Sequence, residues 1–294
     1  MDLVLMSPPP PTWSLRGRSN FKSEAAPEVD AAAARREWLA LARGIEARGA
    51  RVAVLPSDDE LTGLPFAAEA GHPLPPIAGD KPRFLLSRMQ PEHRQGEGKR
   101  WAPFLTRIGF EVIELASGIW EGQSDVADFD GTTLLFFGGR TDREGLEHAK
   151  KHFVGDILTI ELRAAAFHGN MAVLPLPHAG CLLVCADEVE DDGLALLEAR
   201  FGRDRMHFVS AEEMKAYATN GLPIDSCLLS PSCTPNRVSK LVTGAGMNVE
   251  LLPMTELCEK AGGASRCLVC VVNDATGLVV PEDARLSKWE RALS

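Results

Sequence analysis

The chain has 294 residues, 45% of them hydrophobic and 24% charged, ordinary values for a globular protein, and no segment approaches the roughly 18 apolar residues needed to span a bilayer. A formal charge of −10 at pH 7 disfavours a nucleic acid partner, which needs clustered Lys and Arg, and suits a cationic small molecule. The seven cysteines, Cys181, Cys185, Cys227, Cys233, Cys258, Cys267 and Cys270, are an odd set with no compact disulfide framework, so reduced thiols are expected.

The first six residues carry no basic stretch and only a short apolar run before Pro8, so they read as a first strand rather than a secretory signal. A cytoplasmic location, with no membrane partner, is the expectation. One pattern then recurs five times: an amphipathic helix ends near a glycine and a short apolar strand follows. Its instances span residues 45–55, 105–115, 150–162, 197–209 and 241–252. The glycine suits a left-handed helix C-cap, and the β-branched run suits a buried strand. Strands starting near Arg51, Glu111, Asp156, Met206 and Asn248 are spaced by about 60, 45, 50 and 42 residues, the range of repeated supersecondary units with loop insertions. A single domain over residues 1–273 with a C-terminal tail over 274–294 follows, the tail holding a short helix near its end.

Between the units lie loops that can present side chains at the mouth of a rigid scaffold. The longest, residues 56–82, carries Glu69; others carry Glu121 and Asp125, His168 and Asn170, and a Gly-Gly-Ala-Ser-Arg turn before Cys267. Cys267 is expected to open an apolar strand reaching Val272, beside the cationic Arg266, where a reactive thiolate is useful; the competing reading is a small buried hydrophobe. Three residues on, Cys270 would face the opposite side of such a strand, which argues against a shared metal or disulfide. A lone loop histidine such as His168 is more often solvated than catalytic. His148 and His152, four apart on a helix after Thr141, lack the Glu of an H-E-x-x-H site and read as a solvated face. Arg88, Arg94 and Arg140 taken singly are ordinary surface cations. As a set, the thiol, the histidine, the acids and the arginines suit nucleophilic addition to a planar cationic carbon.

The segments PFAAEAG (65–71), SRMQPEHRQGE (87–97), EGQSD (121–125), GGRT (138–141), FHGN (167–170) and EKAGGASRC (259–267) occur in the order found in the pentein, or guanidino-group modifying, superfamily. The chain resembles that superfamily, which includes dimethylarginine dimethylaminohydrolases, arginine deiminases, arginine dihydrolases and amidinotransferases. The resemblance implies an α/β propeller of five ββαβ units around a central site. It also implies a guanidino or arginine-derived small-molecule substrate and no metal or organic cofactor, and it leaves a homo-oligomer open. By position it makes Cys267 the nucleophile, His168 the general acid and base, and Glu121 the acid that orients His168. Glu69 would contact the guanidine nitrogens, and Arg88 and Arg140 the substrate carboxylate. Asp125 closes the E-G-x-x-D motif. Glu69 stands where the family has Asp or Asn, and Asn170 stands where arginine deiminases and dihydrolases carry Asp. Loss of an acid at Asn170 favours a substituted guanidine. The expected activity is therefore dimethylarginine-hydrolase-like, through a covalent S-alkylthiouronium. Arginine deimination or dihydrolysis, amidino transfer, and guanidine binding without catalysis are the alternatives.

Overall fold

The structure, a computed structural model, describes residues 1–18, 20–76 and 81–293. Its strands and helices, numbered in chain order, fall into five units. The first contains β1 (Leu3–Met6), α1 (Ala31–Glu46) and β2 (Arg51–Val54). The second contains β3 (Gly71–Leu74), β4 (Arg83–Leu86), α2 (Gly98–Ile108) and β5 (Glu111–Ile113). In the third, β6 (Val126–Phe129) and β7 (Thr132–Phe137) precede α3 (Arg143–Lys150) and β8 (Asp156–Glu161). The fourth begins with the short α4 (Gly169–Ala172) and continues through β9 (Val173–Leu176), β10 (Cys181–Val184), α5 (Asp191–Phe201) and β11 (Met206–Phe208). In the fifth, α6 (Ala211–Lys215) leads to β12 (Leu222–Ile224), β13 (Cys227–Pro231), α7 (Asn236–Gly244) and β14 (Asn248–Leu252). A π-helical turn (Thr255–Lys260), β15 (Cys270–Val272) and α8 (Leu286–Leu293) complete the chain.

Each unit forms a three-stranded sheet with the same pairing. An inner strand runs antiparallel to the central strand, and the strand after the helix runs parallel to it. The first unit borrows its inner strand from the other end of the chain, because β15 pairs antiparallel with β1, Leu3 opposite Val272. Five ββαβ units thus close into a ring, the architecture expected from the sequence.

The five helix-to-strand joins stand where the repeat placed them, and Gly49, Gly109, Gly155, Gly202 and Gly246 all have positive φ. Helix α1 shows why these segments fold as they do. Asp30 accepts the Ala33 N–H at its start, and Trp38, Leu41, Ala42 and Ile45 recur at helical spacing to fill the core face. The central strands β1, β4, β10 and β13 are buried throughout, so they read as continuous apolar runs.

The inner strands are the part that the sequence pattern hides. Residues 56–82, read as one long loop, contain β3; residues 77–80 of that stretch lie outside the described ones. Inner strands are short, and three of them carry a proline: Pro73, Pro175 and Pro223. Each lies on a sheet edge, where a missing N–H leaves no gap in a ladder. Two further expectations are corrected. Strand β15 begins at Cys270, so Cys267 lies in the preceding turn, not on the strand. Helix α3 ends at Lys150, so His148 and His152 do not share a helical face; His148 Nε2 lies 3.1 Å from the Ser117 hydroxyl.

In the tail, Leu278, Val280, Ala284, Leu286 and Leu293 are buried, and α8 packs against α1 and β2. No helix among the described residues is long and apolar enough to cross a membrane.

Candidate active site

Five turns, each leading into an inner strand, supply the site. Glu69 sits in the 3-10 turn before β3, and Glu121 opens the 3-10 turn before β6. His168 caps α4 before β9, Asn220 lies two residues before β12, and Cys267 three residues before β15. The ring brings these equivalent positions together although they span some two thirds of the chain.

At the centre, His168 Nε2 lies 2.8 Å from Glu121 Oε2, with both side chains fully buried. The other ring nitrogen, Nδ1, is 3.7 Å from Glu69 Oε1 and has no hydrogen-bond partner. Burial pushes the Glu121 carboxyl up, but its hydrogen bond to His168 and the charges of His168, Arg140 and Arg94 outweigh this and hold it at about 2. The second Glu121 oxygen accepts the Gln90 N–H at 2.8 Å.

Asp125 holds this arrangement from behind. Its oxygens accept the Gly169 N–H and the Thr141 hydroxyl, both at 2.7 Å, and the same Thr141 oxygen accepts the Glu121 N–H at 3.0 Å. The motif acids Glu121 and Asp125 are therefore locked to the His168 turn through the Thr141 of GGRT. Burial raises the Asp125 carboxyl to about 6 despite the opposing influence of His168 and these hydrogen bonds.

Two guanidinium groups rest on the acids. Arg140 Nη1 lies 3.5 Å from Glu121 Oε2 and 3.7 Å from Glu69 Oε2, with its guanidinium 5.1 Å from the centre of the Phe167 ring. Arg94 is buried, contacts Glu69, and grips both oxygens of buried Glu97 at 2.7 Å. Arg94, one of the arginines the sequence set beside the acids, and Glu97, which it offered only as part of a motif, are the site's internal counter-charges. Arg88 stands apart: its side chain is exposed, while its backbone exchanges two hydrogen bonds with Trp120 next to Glu121.

Cys267 is buried, 1% exposed, rather than displayed at a strand end. The chain turns tightly here because Ala264 O accepts the Cys267 N–H, and any side chain at Gly263 would run into the Phe66 ring. The Cys267 N–H lies 3.3 Å from Asn220 Oδ1, and Asn170 Nδ2 lies 3.6 Å from the sulfur. Burial pushes the thiol up, against the pull of Asn220, Arg266 and Asn170. Arg266 donates to the carbonyls of Val269 and Gln123. Cys270, pushed up to about 12 by burial, has its sulfur against the Gly71 carbonyl. Asn220, absent from the motifs, binds both the Cys267 amide and, at 3.0 Å, the Asn170 carbonyl. It stands two residues before its inner strand, as Glu69 does, a match visible only once those strands are paired, so no signal in the sequence pointed to it.

Glu69, Glu121 and His168 offer donor atoms within 4.8 Å of one another, a spacing that suits a metal ion. Arg94 and Arg140 lie against those carboxylates and compensate the charge of the cluster. Above it, Trp13, Asn20, Phe66, Arg94, Arg140 and Gly262 line a cleft of about 50 Å³, room for a water or two. Trp13 Nε1 donates to Thr62 O, and Asn20 Nδ2 to Ala261 O, so the N-terminal segment is pinned across this cleft.

No protein-family model and no curated protein sequence matches the chain. Solved structures do. The N-terminal domain of ArgZ, an arginine dihydrolase of cyanobacteria, with product bound, matches over 92% of this chain and 97% of that one, at 23% identity and TM-score 0.81. Unliganded AgrE matches over 97% of this chain at 23% identity and TM-score 0.84, and the chain spans 40% of its length. A dimethylarginine dimethylaminohydrolase adduct matches over 92% of this chain and 98% of its own, at 17% identity and TM-score 0.69. Together with the closed ring of five ββαβ units, these matches identify the architecture: the chain has the five-bladed α/β-propeller fold of the penteins.

Proposed function

We propose that this protein is a cysteine-dependent hydrolase of a guanidino compound, with a free arginine-type amino acid as substrate. The observation that carries the reading is the pair of buried carboxylates, Glu69 and Glu121, which converge on His168 and already hold the guanidinium ends of Arg94 and Arg140. A substrate guanidinium taking the place of Arg140 on these acids would be held flat beside Cys267, the proximity contribution to catalysis.

Because burial disfavours the thiolate of Cys267, the arriving cation is what makes it accessible. The Cys267 thiol passes its proton to His168, and the thiolate adds to the guanidinium carbon, giving a tetrahedral adduct. With Glu121 holding Nε2, His168 exchanges protons through Nδ1. It protonates the departing nitrogen, the C–N bond breaks, and an S-alkylthiouronium remains. The neutral imidazole then takes a proton from water, whose oxygen adds to the same carbon and expels the thiolate. Asn220 and Asn170 hold the nucleophile's turn. The free space is too small for an arginine, so entry requires displacement of the segment carrying Trp13 and Asn20 and of Arg140. Once released, Arg140 meets the substrate carboxylate, and Arg88, held by its backbone to Trp120 beside Glu121, would turn inward to join it.

Plain arginine is favoured by two acids on one guanidinium, as Arg140 already sits. N-methylated arginine is the second reading, carried by Asn170, which faces Cys267 with an amide instead of an acid. Incubation with a panel of guanidino compounds, followed by intact-mass analysis, should reveal an adduct on Cys267. Absence of both adduct and turnover across the panel would leave guanidine binding alone. Comparing kcat/KM for arginine, monomethylarginine and dimethylarginine separates the two substrate readings.

A further inference from the structure

Outside the site, the described residues hold another pair of reactive side chains placed for chemistry. Cys233, in the turn after β13, has its sulfur 3.8 Å from the sulfur of Cys258 in the π-helical turn. Cys233 is half-buried and so within reach of a small solute, whereas Cys258 is fully buried. The proposed reaction uses neither thiol. The hydrogen bond from Cys258 lowers the Cys233 thiol, and nearby Lys22 adds to this; burial and the same hydrogen bond raise Cys258. One sulfur is thus the accessible nucleophile and its neighbour the protonated partner.

We propose that Cys233 and Cys258 are a peroxide-oxidised dithiol, sulfenylated at Cys233 and closed to a disulfide by Cys258, and that the disulfide displaces the turn carrying Cys267. In the first step the Cys233 thiolate attacks one oxygen of hydrogen peroxide. The O–O bond breaks, hydroxide leaves, and the sulfur is oxidised to a sulfenic acid. In the second, the Cys258 sulfur displaces the sulfenic oxygen, which departs as water with the Cys258 proton.

Bond formation requires the sulfurs to approach from 3.8 Å to about 2 Å. On the Cys258 side the turn is an irregular π-helical one that continues directly into the site, so movement there is passed toward Cys267. Cys258 O accepts the Gly262 N–H at 3.0 Å and Leu257 O the Gly263 N–H at 2.9 Å. Gly262 lines the cleft against Asn20, and Gly263 packs under Phe66 just before Cys267. A shift of this turn therefore reaches both the cleft wall and the thiol.

The test uses the whole 294-residue chain treated with hydrogen peroxide and mapped by mass spectrometry. The Cys267→Ala variant should lose two hydrogens and yield a linked Cys233–Cys258 peptide, reversed by dithiothreitol; Cys233→Ser and Cys258→Ala should not form it. In protein that retains Cys267, alkylation of that residue by iodoacetamide should differ severalfold between the reduced and disulfide forms. Irreversible oxidation at Cys233 with no linked peptide would overturn the dithiol. A linked peptide with unchanged Cys267 alkylation would overturn the coupling. Neither readout depends on turnover, so failure of the hydrolase reading is distinguishable from failure here.

Discussion

Asp125 and Glu121, four residues apart, give the site opposite pH dependences. With the Asp125 carboxyl raised from 3.8 to about 6, the native state holds a proton between those values that the unfolded chain has released. Stability from this group is therefore lost as pH rises through the window, by about 3 kcal/mol at most. Glu121, lowered from 4.5 to about 2, contributes fully above its unfolded value, and that contribution is lost as pH falls toward 2. Thermal melts of Asp125→Asn between pH 4 and 7 should show a shallower decline with rising pH than the parent; an unchanged slope would mean that Asp125 does not titrate there. For the chemistry, Cys267→Ser should abolish turnover and the covalent adduct while leaving the fold intact, and Cys270→Ser should bring only a packing effect. Equal loss in both would contradict the assignment of the nucleophile. Arg88→Ala and Arg140→Ala should each raise KM for an amino-acid substrate, since a charge-assisted contact is worth about 1.5–3 kcal/mol. If agmatine, which lacks the carboxylate, were processed as well as arginine, both roles would fall.

At the scale of elements, the turn before each inner strand is the functional unit, and its backbone is held by side chains from other blades. Gln123 is the clearest case. Its amide donates to Val271 O at 2.8 Å and accepts the Val271 N–H at 2.7 Å, completing the free edge of β15. Gln123→Ala would leave a buried N–H and C=O unpaired and should lower stability by about 2–5 kcal/mol in denaturant melts. Asn220→Ala should act differently, lowering kcat more than it raises KM, because Asn220 fixes the Cys267 turn without reaching the acids. A KM effect alone would show that Asn220 serves binding instead. The helix-to-strand joins were legible in the sequence because each combines helical periodicity, a glycine and an apolar run. The inner strands were not, because four residues with a proline, such as Val173–Leu176, carry no period and find their pairing only in the sheet.

For the whole molecule, the ring closes through pairing of β1 with β15, and the segment after β15 then packs across the first two units. Leu278, Val280 and Ala284 join the core formed with Phe84 and Trp101, while Leu286 and Leu293 join that of Trp38. Deleting residues 274–294 should destabilise the protein by on the order of 5 kcal/mol or more, given roughly 1.5–3 kcal/mol for each large apolar side chain re-exposed. A truncated protein melting with the parent would show the ring to be self-sufficient. By itself, the sequence determined the five-fold repeat and the identities of the motif residues, since periodicity, glycine caps and ordered motifs are local properties of the chain. Only the tertiary structure decided that Cys267 is buried in a turn and that Glu97 and Asn220 belong to the site. The same is true of the contact between Cys233 and Cys258. These depend on distances between residues far apart in sequence, and ring closure fixes those distances by packing that no local pattern encodes.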